Sequence, residues 1–413
     1  MSIHNYTDIR IPIDLNNPAI VRNDELCIKC GACRRFCERD MAVGRLYDLE
    51  SSSDNPICVH CGKCVNVCPL NSISERYDYQ KVRKAILNSS KIVIFSFSPS
   101  DDFAEGKMAA SLRALGADYV FDTRLARDLT IMEETSELLD RIVNKKRPLP
   151  QFASCCPAWV KFAETFYPKI LPHLSTSKSP IGMQGPIIKT YFARRQGLDP
   201  VQIVNVAVTA CTALKFEIRR KEMNVSSIVH DITGLRDMDY VITTRELAKW
   251  LKEEGIDVKG LKDSGCDSLM EDASGGGVIL GNINPPGNFP DLSPVCGMEG
   301  IKSASLEIKG SPVRLALVQG IDNARSILEG LKAGKCDYDF IEVMACRDGC
   351  MSGGGQLISL LNHENPDIRA VYRKIYEKPL SPRGTDLLHS SYHSRYDDLG
   401  PRGIVEKQLI LED

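Results

Sequence analysis

From about residue 90 onward, apolar runs with strand character alternate with segments whose apolar residues recur at helical spacing. The predicted strands are 91–97, 119–123, 201–211 and 313–320. The predicted helices are 104–117, 131–144, 243–255 and 322–334. Gly116 and Gly255 follow two of these helices, as expected of a residue that adopts the left-handed conformation freely. Strands that alternate with helices are typical of α/β layers around mostly parallel sheets.

The pattern changes along the chain and indicates several parts. The predicted parts are an N-terminal extension (1–20), a small cysteine-rich α+β module (21–80), a two-lobed α/β domain (90–390) and a polar tail (391–413). The small module has few apolar residues, so its core is expected to be the metal clusters that its cysteines bind. Within the large domain, 275–297 is rich in Gly, Pro and Asn and is expected to be mostly loop. The segment 362–376 is expected to be helical.

Composition limits the classes of protein that fit. The chain has 413 residues, a formal net charge of −2 and 16 cysteines. The charge gives no sign of a nucleic-acid partner. No signal peptide is recognisable at the N-terminus, and no apolar run of about 18 residues predicts a membrane span. The chain is therefore expected in the cytoplasm, where thiols stay reduced and many cysteines indicate metal or redox chemistry.

Eight cysteines fall in two runs of the form C-x2-C-x2-C-x3-C. This is the spacing of bacterial two-cluster ferredoxins, in which the fourth cysteine of each run binds the other cluster. One 4Fe–4S cluster is predicted on Cys27, Cys30, Cys33 and Cys68. The second is predicted on Cys37, Cys58, Cys61 and Cys64. Zinc is the alternative, but zinc sites use four ligands in pairs and not two overlapping runs of four.

Two adjacent cysteines, Cys155 and Cys156, stand in "FASCCPAW" (152–159). Neighbouring side chains point in different directions, which favours one thiolate as a ligand and the other as a free thiol. Further cysteines lie in "VTACTALKFE" (208–217) and "EVMACRDGCMSGGGQ" (342–356). Ligands from distant segments predict a site between lobes. In the last segment the two cysteines are four residues apart and would share a face on a helical turn.

In this order the three segments resemble the signature sequences of the FeFe-hydrogenase family, TSCCPGW, MPCTxKKFE and MACPxGCxxGGGQP. The resemblance extends over about 20–390, including "FDTRLARDLTIMEETSEL" (121–138). It implies an H-cluster, a 4Fe–4S cubane joined to a two-iron subsite that bears CO, cyanide and a bridging dithiolate amine. It also implies that Cys156, Cys211, Cys346 and Cys350 bind the cubane and that Cys350 bridges to the two-iron part.

The same resemblance implies a proton path. Cys155 would be the free thiol that exchanges protons with the bridging amine, and an ordinary thiol pKa of about 8.5 suits this role. Glu134, Ser175 and Glu137 would relay protons to solvent, with Arg141 at the outer end. Glu134, Glu137 and Arg141 share one face of the predicted helix. The alternative for that face is a solvated charge pattern, which is common on exposed helices.

Further residues are expected around the cofactor by the same match. They are Ser98, Pro99, Ser100, Lys178, Thr209, Leu214 and Met344. Several depart from the family pattern: Leu214 stands where the family has a lysine that binds cyanide, and Ile181 stands where it has a glutamine. Thr209 takes the place of a methionine. Because outer residues tune a metal site, these departures are expected to alter redox potential and rate more than the presence of the cluster.

The resemblance implies a divergent iron-only hydrogenase that interconverts H2 with protons and electrons. The two ferredoxin-type clusters would exchange electrons with a ferredoxin or with another subunit of a redox complex. Maturation proteins would supply the two-iron subsite. One alternative is a hydrogen sensor with slow turnover, although sensory relatives often lose the free cysteine. Another is a narf-like iron–sulfur assembly protein, which needs no acid/base thiol beside the ligand.

Overall fold

The computed structural model describes residues 10–11, 13–39, 41, 58–98, 102–269, 293–294, 300–308, 311–347 and 349–356. Several predictions fall outside the described residues. They concern Pro99, Ser100, the helix at 362–376, the tail at 391–413 and the loop at 275–297 apart from 293–294. No helix in the described ranges is long and apolar enough to cross a membrane.

The described strands and helices include all eight elements predicted from the pattern. The strands are β1 (Ile20–Arg22), β2 (Ile73–Glu75), β3 (Ile92–Phe97), β4 (Tyr119–Asp122), β5 (Gln151–Phe152), β6 (Ile203–Thr209), β7 (Tyr240–Thr243), β8 (Ser293–Pro294), β9 (Ile301–Ile308), β10 (Ser311–Gln319) and β11 (Phe340–Met344). The helices are α1 (Ala32–Arg39), α2 (Lys63–Asn66), α3 (Tyr79–Ile86), α4 (Asp102–Ala114), α5 (Arg124–Asn144), α6 (Pro157–Phe166), α7 (Pro180–Ile187), α8 (Ala193–Gln196), α9 (Leu214–Glu217), α10 (Val225–His230), α11 (Thr244–Glu253) and α12 (Ile321–Lys332). Helix α5 begins about two turns earlier than predicted.

Two sheets form the large domain. The first has the order β4-β3-β6-β7 and is parallel throughout its pairs. The second has the order β5-β11-β10-β9-β8, in which β9 pairs antiparallel with both neighbours. Among the described strands of these two sheets the pairs are mostly parallel, as expected, and the antiparallel pairs are confined to this edge. Ile308 and Ser311 are too close along the chain for the crossover that parallel pairing of β9 and β10 would need.

The core of the small module is continuous with the core of the second sheet. Ile20 and Ile73, from the antiparallel pair β1–β2, belong to the same buried apolar cluster as Trp159, Val318 and Val343. The module is therefore not held together by its metal clusters alone, as its low apolar content suggested. It is packed against the large domain by apolar burial, which is the main favourable term in folding.

A buried ion network fastens the end of the small module to the first sheet. Lys215 Nζ lies 2.9 Å from Glu246 Oε2 and 3.2 Å from Asp78 Oδ2, and it donates to the Val241 carbonyl at 2.6 Å. Glu246 also accepts from the Tyr79 backbone N–H at 2.7 Å. Since the three charged side chains are buried, removing one would leave the others uncompensated, which is strongly destabilising.

Candidate iron–sulfur centres and active site

The two cysteine runs of the small module repeat each other in backbone conformation as well as in sequence. Lys29 and His60 occupy the same position in each run, with φ of 55° and 60°. Gly31 and Gly62 follow with φ of 71° and 69°. Left-handed residues beside right-handed ones turn backbone N–H groups inward and form concave sites for anions. In the second run the N–H of His60 donates to Cys58 Sγ at 3.3 Å.

The module's cysteines line two cavities, each of about 340 Å³. The first cavity is lined by Cys27, Cys30, Cys33 and Cys68. The second is lined by Cys37, Cys58, Cys61 and Cys64. Cys33 and Cys37 both lie on α1, one turn apart, yet they face different cavities. The side chains therefore group across the two runs, in the same two sets that the ferredoxin spacing predicts.

The thiols of the second cavity resist ionisation on their own. Desolvation raises the pKa of Cys58 to about 11, and the Cys61 thiol adds to the shift. Desolvation also raises the pKa of Cys64 well above its ordinary value, and Cys61 and Cys58 add to that shift as well. Thiolates packed this closely repel one another unless positive charge lies among them. Bound iron supplies that charge and thereby displaces the protons of its thiol ligands. The donor set therefore suits an iron–sulfur cluster.

A third group of cysteines lies between the two sheets, where strands end. Cys156 follows β5, Cys211 follows β6, and Cys346 follows β11. Desolvation raises the pKa of Cys211, and the neighbouring thiols of Cys156 and Cys350 raise it further. Besides desolvation, the thiols of Cys211 and Cys156 likewise raise the pKa of Cys346, and those of Cys156 and Cys346 raise that of Cys350, so the four thiols are neighbours. Crevices at the carboxyl ends of strands are where α/β folds bind ligands.

The chain between Cys346 and Cys350 is not the helical turn that their spacing suggested. Gly349 has a φ of 77°, and a 3-10 helix begins only at Cys350. The Gly349 N–H donates to the Cys346 carbonyl at 3.3 Å. The two thiols are thus brought together by a glycine turn, because a residue with a side chain rarely adopts this φ.

Three glycines after Cys350 press the last signature segment against the rest of the site. A Cβ at Gly354 would collide with the Cys61 carbonyl and with Gly62. A Cβ at Gly353 would collide with the Ala210 carbonyl, and Gly355 donates to that same carbonyl at 2.9 Å. The second cluster loop, the second signature segment and the third are therefore in direct backbone contact.

The small module also contacts the second signature segment through His60. Thr212 Oγ1 donates to the His60 carbonyl at 2.6 Å, and the His60 ring stacks on Phe216 with 4.5 Å between centroids. Desolvation, with the charges of Lys161 and Arg219, lowers the pKa of His60 to about 3. The ring is therefore neutral near pH 7, which suits burial between two protein surfaces.

Cys155 and Cys156 are adjacent but pack into different parts of the molecule. Cys156 packs against the apolar cluster around Trp159, whereas Cys155 packs against the cluster that contains Ala153 and Met344. The Ala345 N–H donates to Cys156 Sγ at 3.4 Å. The geometry thus separates the two thiols, as the alternating direction of neighbouring side chains requires.

Beside Cys155 lies a row of polar side chains that leads away from the cysteines. Glu134 is fully buried, and its Oε1 accepts from the Ser154 N–H at 3.2 Å. Ser175 Oγ donates to Glu137 Oε2 at 2.8 Å. Desolvation raises the pKa of Glu134 well above its ordinary value, which favours the protonated carboxyl. The alternative of a solvated charge pattern is therefore wrong for this face of α5.

Arg141, which the resemblance places at the outer end of the row, has a buried side chain. Its guanidinium donates to Glu137 Oε1 at 2.7 Å and to the Leu174 carbonyl at 2.8 Å. It also donates to the carbonyls of Pro148 and Pro172. Arg141 therefore holds Glu137 and two backbone segments in place, which makes it a positioning residue.

Most of the large domain matches one known family. Residues 86–354 match the family described as the C-terminal domain of the iron-only hydrogenase large subunit. The chain belongs to the iron-only hydrogenase family. Residues 19–69 match a 4Fe–4S dicluster domain, and residues 359–395 match the iron hydrogenase small subunit. The predicted fold class, a ferredoxin-like module followed by an α/β hydrogenase domain, is thereby confirmed.

Known proteins similar to this hydrogenase-family chain fall into two groups. The NADP-reducing hydrogenase subunit HndD of Solidesulfovibrio fructosivorans is 36% identical over 91% of this chain and 75% of that protein. The cytosolic iron-sulfur assembly component 3 of Bos taurus is 30% identical over 74% of this chain and 72% of that protein. Among solved structures, the FeFe-hydrogenase HydA1 of Chlamydomonas reinhardtii has a TM-score of 0.64 at 28% identity, covering 73% of this chain and 88% of that chain.

The residues expected around the hydrogenase cofactor take defined positions. Ser98 Oγ lies 3.0 Å from Thr123 Oγ1. Thr209 Oγ1 accepts from the Cys211 N–H at 3.1 Å. Met344 is buried at the end of β11. Lys178 is fully buried, and its Nζ lies 3.6 Å from Asp237 Oδ2.

Leu214 and Ile181, the two apolar departures from the hydrogenase pattern, lie in one cluster. Both are buried and belong to the same apolar group, which also includes Met238 and Val241, and Cys211 packs against it. The side of the site next to Cys211 is therefore an apolar wall. Two changes that looked independent in the sequence share one surface.

Sequence reasoning missed a second buried carboxyl beside Cys155. Glu342 lies in β11 and is buried. Desolvation raises the pKa of Cys155 well above its ordinary value, and the charges of Glu342 and Glu134 raise it further. A signal was present, because a glutamate stands inside the apolar run of a buried strand, where carboxylates are rare.

Proposed function

We propose that the chain is an FeFe-hydrogenase that interconverts H2 with protons and electrons at an H-cluster. The observation that carries the proposal is the Cys155 thiol, which packs apart from Cys156 and lies beside the row that begins at Glu134. Cys156, Cys211, Cys346 and Cys350 would hold the cubane. When bound, the H-cluster supplies the redox-active iron for H2 chemistry.

The protein's own residues would move the proton. Burial raises the pKa values of both Cys155 and Glu134, which favours their protonated forms. Ser175 can pass a proton along its hydrogen bond to Glu137 while it accepts another. Arg141 keeps the Glu137 carboxylate oriented toward Ser175. Between Ser175 and Glu137 one carrier lies within hydrogen-bond reach of the next, which is the geometry that proton transfer needs.

Electrons would travel through the small module. Cys61, of the second cavity, is close enough to Cys156 for the two thiols to affect each other, and Cys346 is affected by Cys61. The second ferredoxin-type cluster would therefore lie next to the cubane, and the first would lie farther out. We propose a ferredoxin, or another subunit of a redox complex, as the electron partner in the cytoplasm, with maturation proteins supplying the two-iron subsite.

Two other functions make different predictions. A hydrogen sensor would carry the same cluster with slow turnover, and the apolar wall of Leu214 and Ile181 is the observation in its favour. An iron–sulfur assembly protein would carry cubanes without the two-iron subsite. Cys155 and its buried polar row count against that function, because a protein without acid/base chemistry gains nothing from burying these groups.

Metal content provides the first test. Anaerobically matured protein is expected to hold about 14 irons per chain, and protein made without the maturation proteins about 12, because the three cubanes account for that number. Iron, labile sulfide and zinc are to be measured together with infrared bands of CO and cyanide. Iron that stops at about eight, or one zinc per chain, contradicts the assignment. Cubanes without CO and cyanide bands after maturation point to the assembly function.

The polar row provides the second test. Glu134→Gln is expected to lower H2 turnover by about 10²-fold or more, because an amide keeps the shape of a protonated carboxyl but does not relay its proton. Glu137→Gln is expected to do the same and also to lower stability, since buried Arg141 loses its charged partner. Iron content and infrared bands should remain those of the wild type.

Asp140→Asn is the matched control, because Asp140 lies on the same helix but pairs with Lys146 at the surface. Its turnover should equal that of the wild type.

The dependence of folding stability on pH gives a second readout for Glu134. Its folded-state pKa is raised above the unfolded value of about 4.3, so its contribution to stability is complete below that pH and is lost as pH rises toward the folded pKa. Glu134→Gln should remove this loss, and normal turnover in both glutamine variants contradicts the relay.

A further inference from the structure

The side chain of Arg245 reaches from the large domain into the small module. Arg245 lies in the first turn of α11, just after β7. Its Nη1 donates to Glu75 Oε1 at 2.9 Å, and its Nη2 donates to Asn66 Oδ1. Asn66 is the last residue of α2, the helix that carries Cys64. The guanidinium therefore holds one of the segments that line the second cavity.

The same residue also holds the third signature segment, which carries Cys350. Arg245 Nη2 donates to the Gln356 carbonyl at 2.6 Å, and the Arg245 backbone N–H donates to the Gly355 carbonyl at 3.0 Å. Thr244 strengthens this attachment, because its Oγ1 donates to Gln356 Oε1 at 2.7 Å. One side chain thus joins the helix that carries a second-cavity cysteine to the segment that follows a cubane ligand.

The link between Arg245 and the small module is shielded from water. The side chains of Arg245 and Glu75 are 18% and 1% exposed, and Glu75 Oε2 accepts from Thr243 Oγ1. A guanidinium is a planar fork whose donors point in fixed directions, so it fixes the relative positions of the groups that it contacts. Salt screens a buried pair of this kind much less than an exposed one. The contact is therefore suited to holding two segments at a constant distance.

We propose that Arg245 is a positioning residue for electron transfer between the second ferredoxin-type cluster and the cubane. The inference rests on the proposed function, because it needs a cubane bound beside the third signature segment. In each transfer one electron leaves the reduced second cluster, which is thereby oxidised, and enters the cubane, which is thereby reduced. The rate of this step depends on the separation of the two clusters, and Arg245 holds their two ligand segments at one separation.

Arg245→Met is the first test, because methionine keeps an apolar stem but donates no hydrogen bond. In reduced protein that holds only the cubanes, electron paramagnetic resonance measures the magnetic interaction between the second cluster and the third cubane. The variant is expected to weaken this interaction and to broaden its distribution. In matured protein, electron transfer to the H-cluster after flash reduction of the small module is expected to slow by about tenfold, the lower end for loss of an outer partner of a metal site.

A second variant separates positioning from stability. Arg245→Met leaves Glu75 buried without its charged partner, which is destabilising. Arg245→Met with Glu75→Gln removes that uncompensated charge and should regain stability. The magnetic interaction should stay weak in the double variant, because the hydrogen bonds to Asn66 and to the Gln356 carbonyl are still missing.

Lys189→Met is the matched control, because it breaks another ion pair of a buried cation, with Asp239 at 2.7 Å, inside the large domain. It should lower stability and leave the magnetic interaction unchanged. Iron content is checked in every variant first. Wild-type interaction in both Arg245→Met variants overturns the proposal, as does an equal change in the Lys189 variant. A weakened interaction in a chain without CO and cyanide bands supports the positioning role and contradicts the hydrogenase. An unchanged interaction in a chain that evolves H2 contradicts only the positioning role.

Discussion

Cys155→Ala is expected to reduce H2 turnover by about 10²-fold or more, while the iron content and the infrared bands of CO and cyanide stay in place. The reason is geometric, because Cys155 packs into a different cluster from Cys156 and is not needed to hold the cubane. Alanine removes the proton carrier without adding volume. Infrared spectroscopy and H2 evolution, measured on the same matured sample, separate the two effects.

Cys156→Ala should give the opposite pattern, with loss of the cubane and of everything attached to it. Cys336→Ala controls for the loss of a thiol as such, since Cys336 is a half-buried cysteine after the end of α12. It should change neither turnover nor the bands. Equal loss of iron in the Cys155 and Cys156 variants contradicts the proposed division of labour between them.

The second large effect is expected at Leu214. A lysine there would donate a charge-assisted hydrogen bond to cyanide, which is worth about 1.5–3 kcal/mol. Leu214, however, packs in the same apolar cluster as Ile181. Lysine alone would bury an ammonium against that wall, so Leu214→Lys should shift the infrared bands and also reduce stability. Leu214→Lys with Ile181→Gln should keep the shift, regain stability and raise turnover.

The direction of the band shift is also expected. A hydrogen bond to cyanide draws electron density away from iron, so the CO bands should move to higher frequency in both lysine variants. Ile218→Leu is the control, because it changes shape but not polarity within the same cluster. It should leave the bands unchanged. Unchanged bands in the double variant contradict the alignment that places Leu214 next to cyanide.

The cysteine sets were predictable because short spacings along the chain leave few ways to surround one cluster. The residues of α5 were predictable for a similar reason, since Glu134, Glu137 and Arg141 share a face at helical spacing. The contacts of Arg141 were not, because its acceptors, such as the carbonyls of Pro172 and Leu174, come from a segment far along the chain. Periodicity gives the direction of a side chain, but tertiary packing decides what covers it.

Three other structural features differed from what spacing and periodicity predicted or were not predicted at all. The turn between Cys346 and Cys350 looked helical by spacing, and Gly349 decided otherwise. The antiparallel pairing of β9 followed from a connection too short for a crossover. The role of Lys215 as a link between the module and the first sheet required knowing that Asp78 and Glu246 meet there. Long-range pairs of this kind leave no local pattern in the sequence.

The backbone of Gly354, in the large domain, lies against the Cys61–Gly62 backbone of the small module. This contact limits whether the small module can be replaced by the corresponding module of another protein. The segment that carries Cys350 packs directly against the second cysteine loop of the small module, so that loop helps to fix the position of Cys350. Exchanging the dicluster module for another would therefore change the support of a cubane ligand along with the supply of electrons. A working chimaera needs a donor loop with the same left-handed glycine at position 62 and the same backbone course at Cys61.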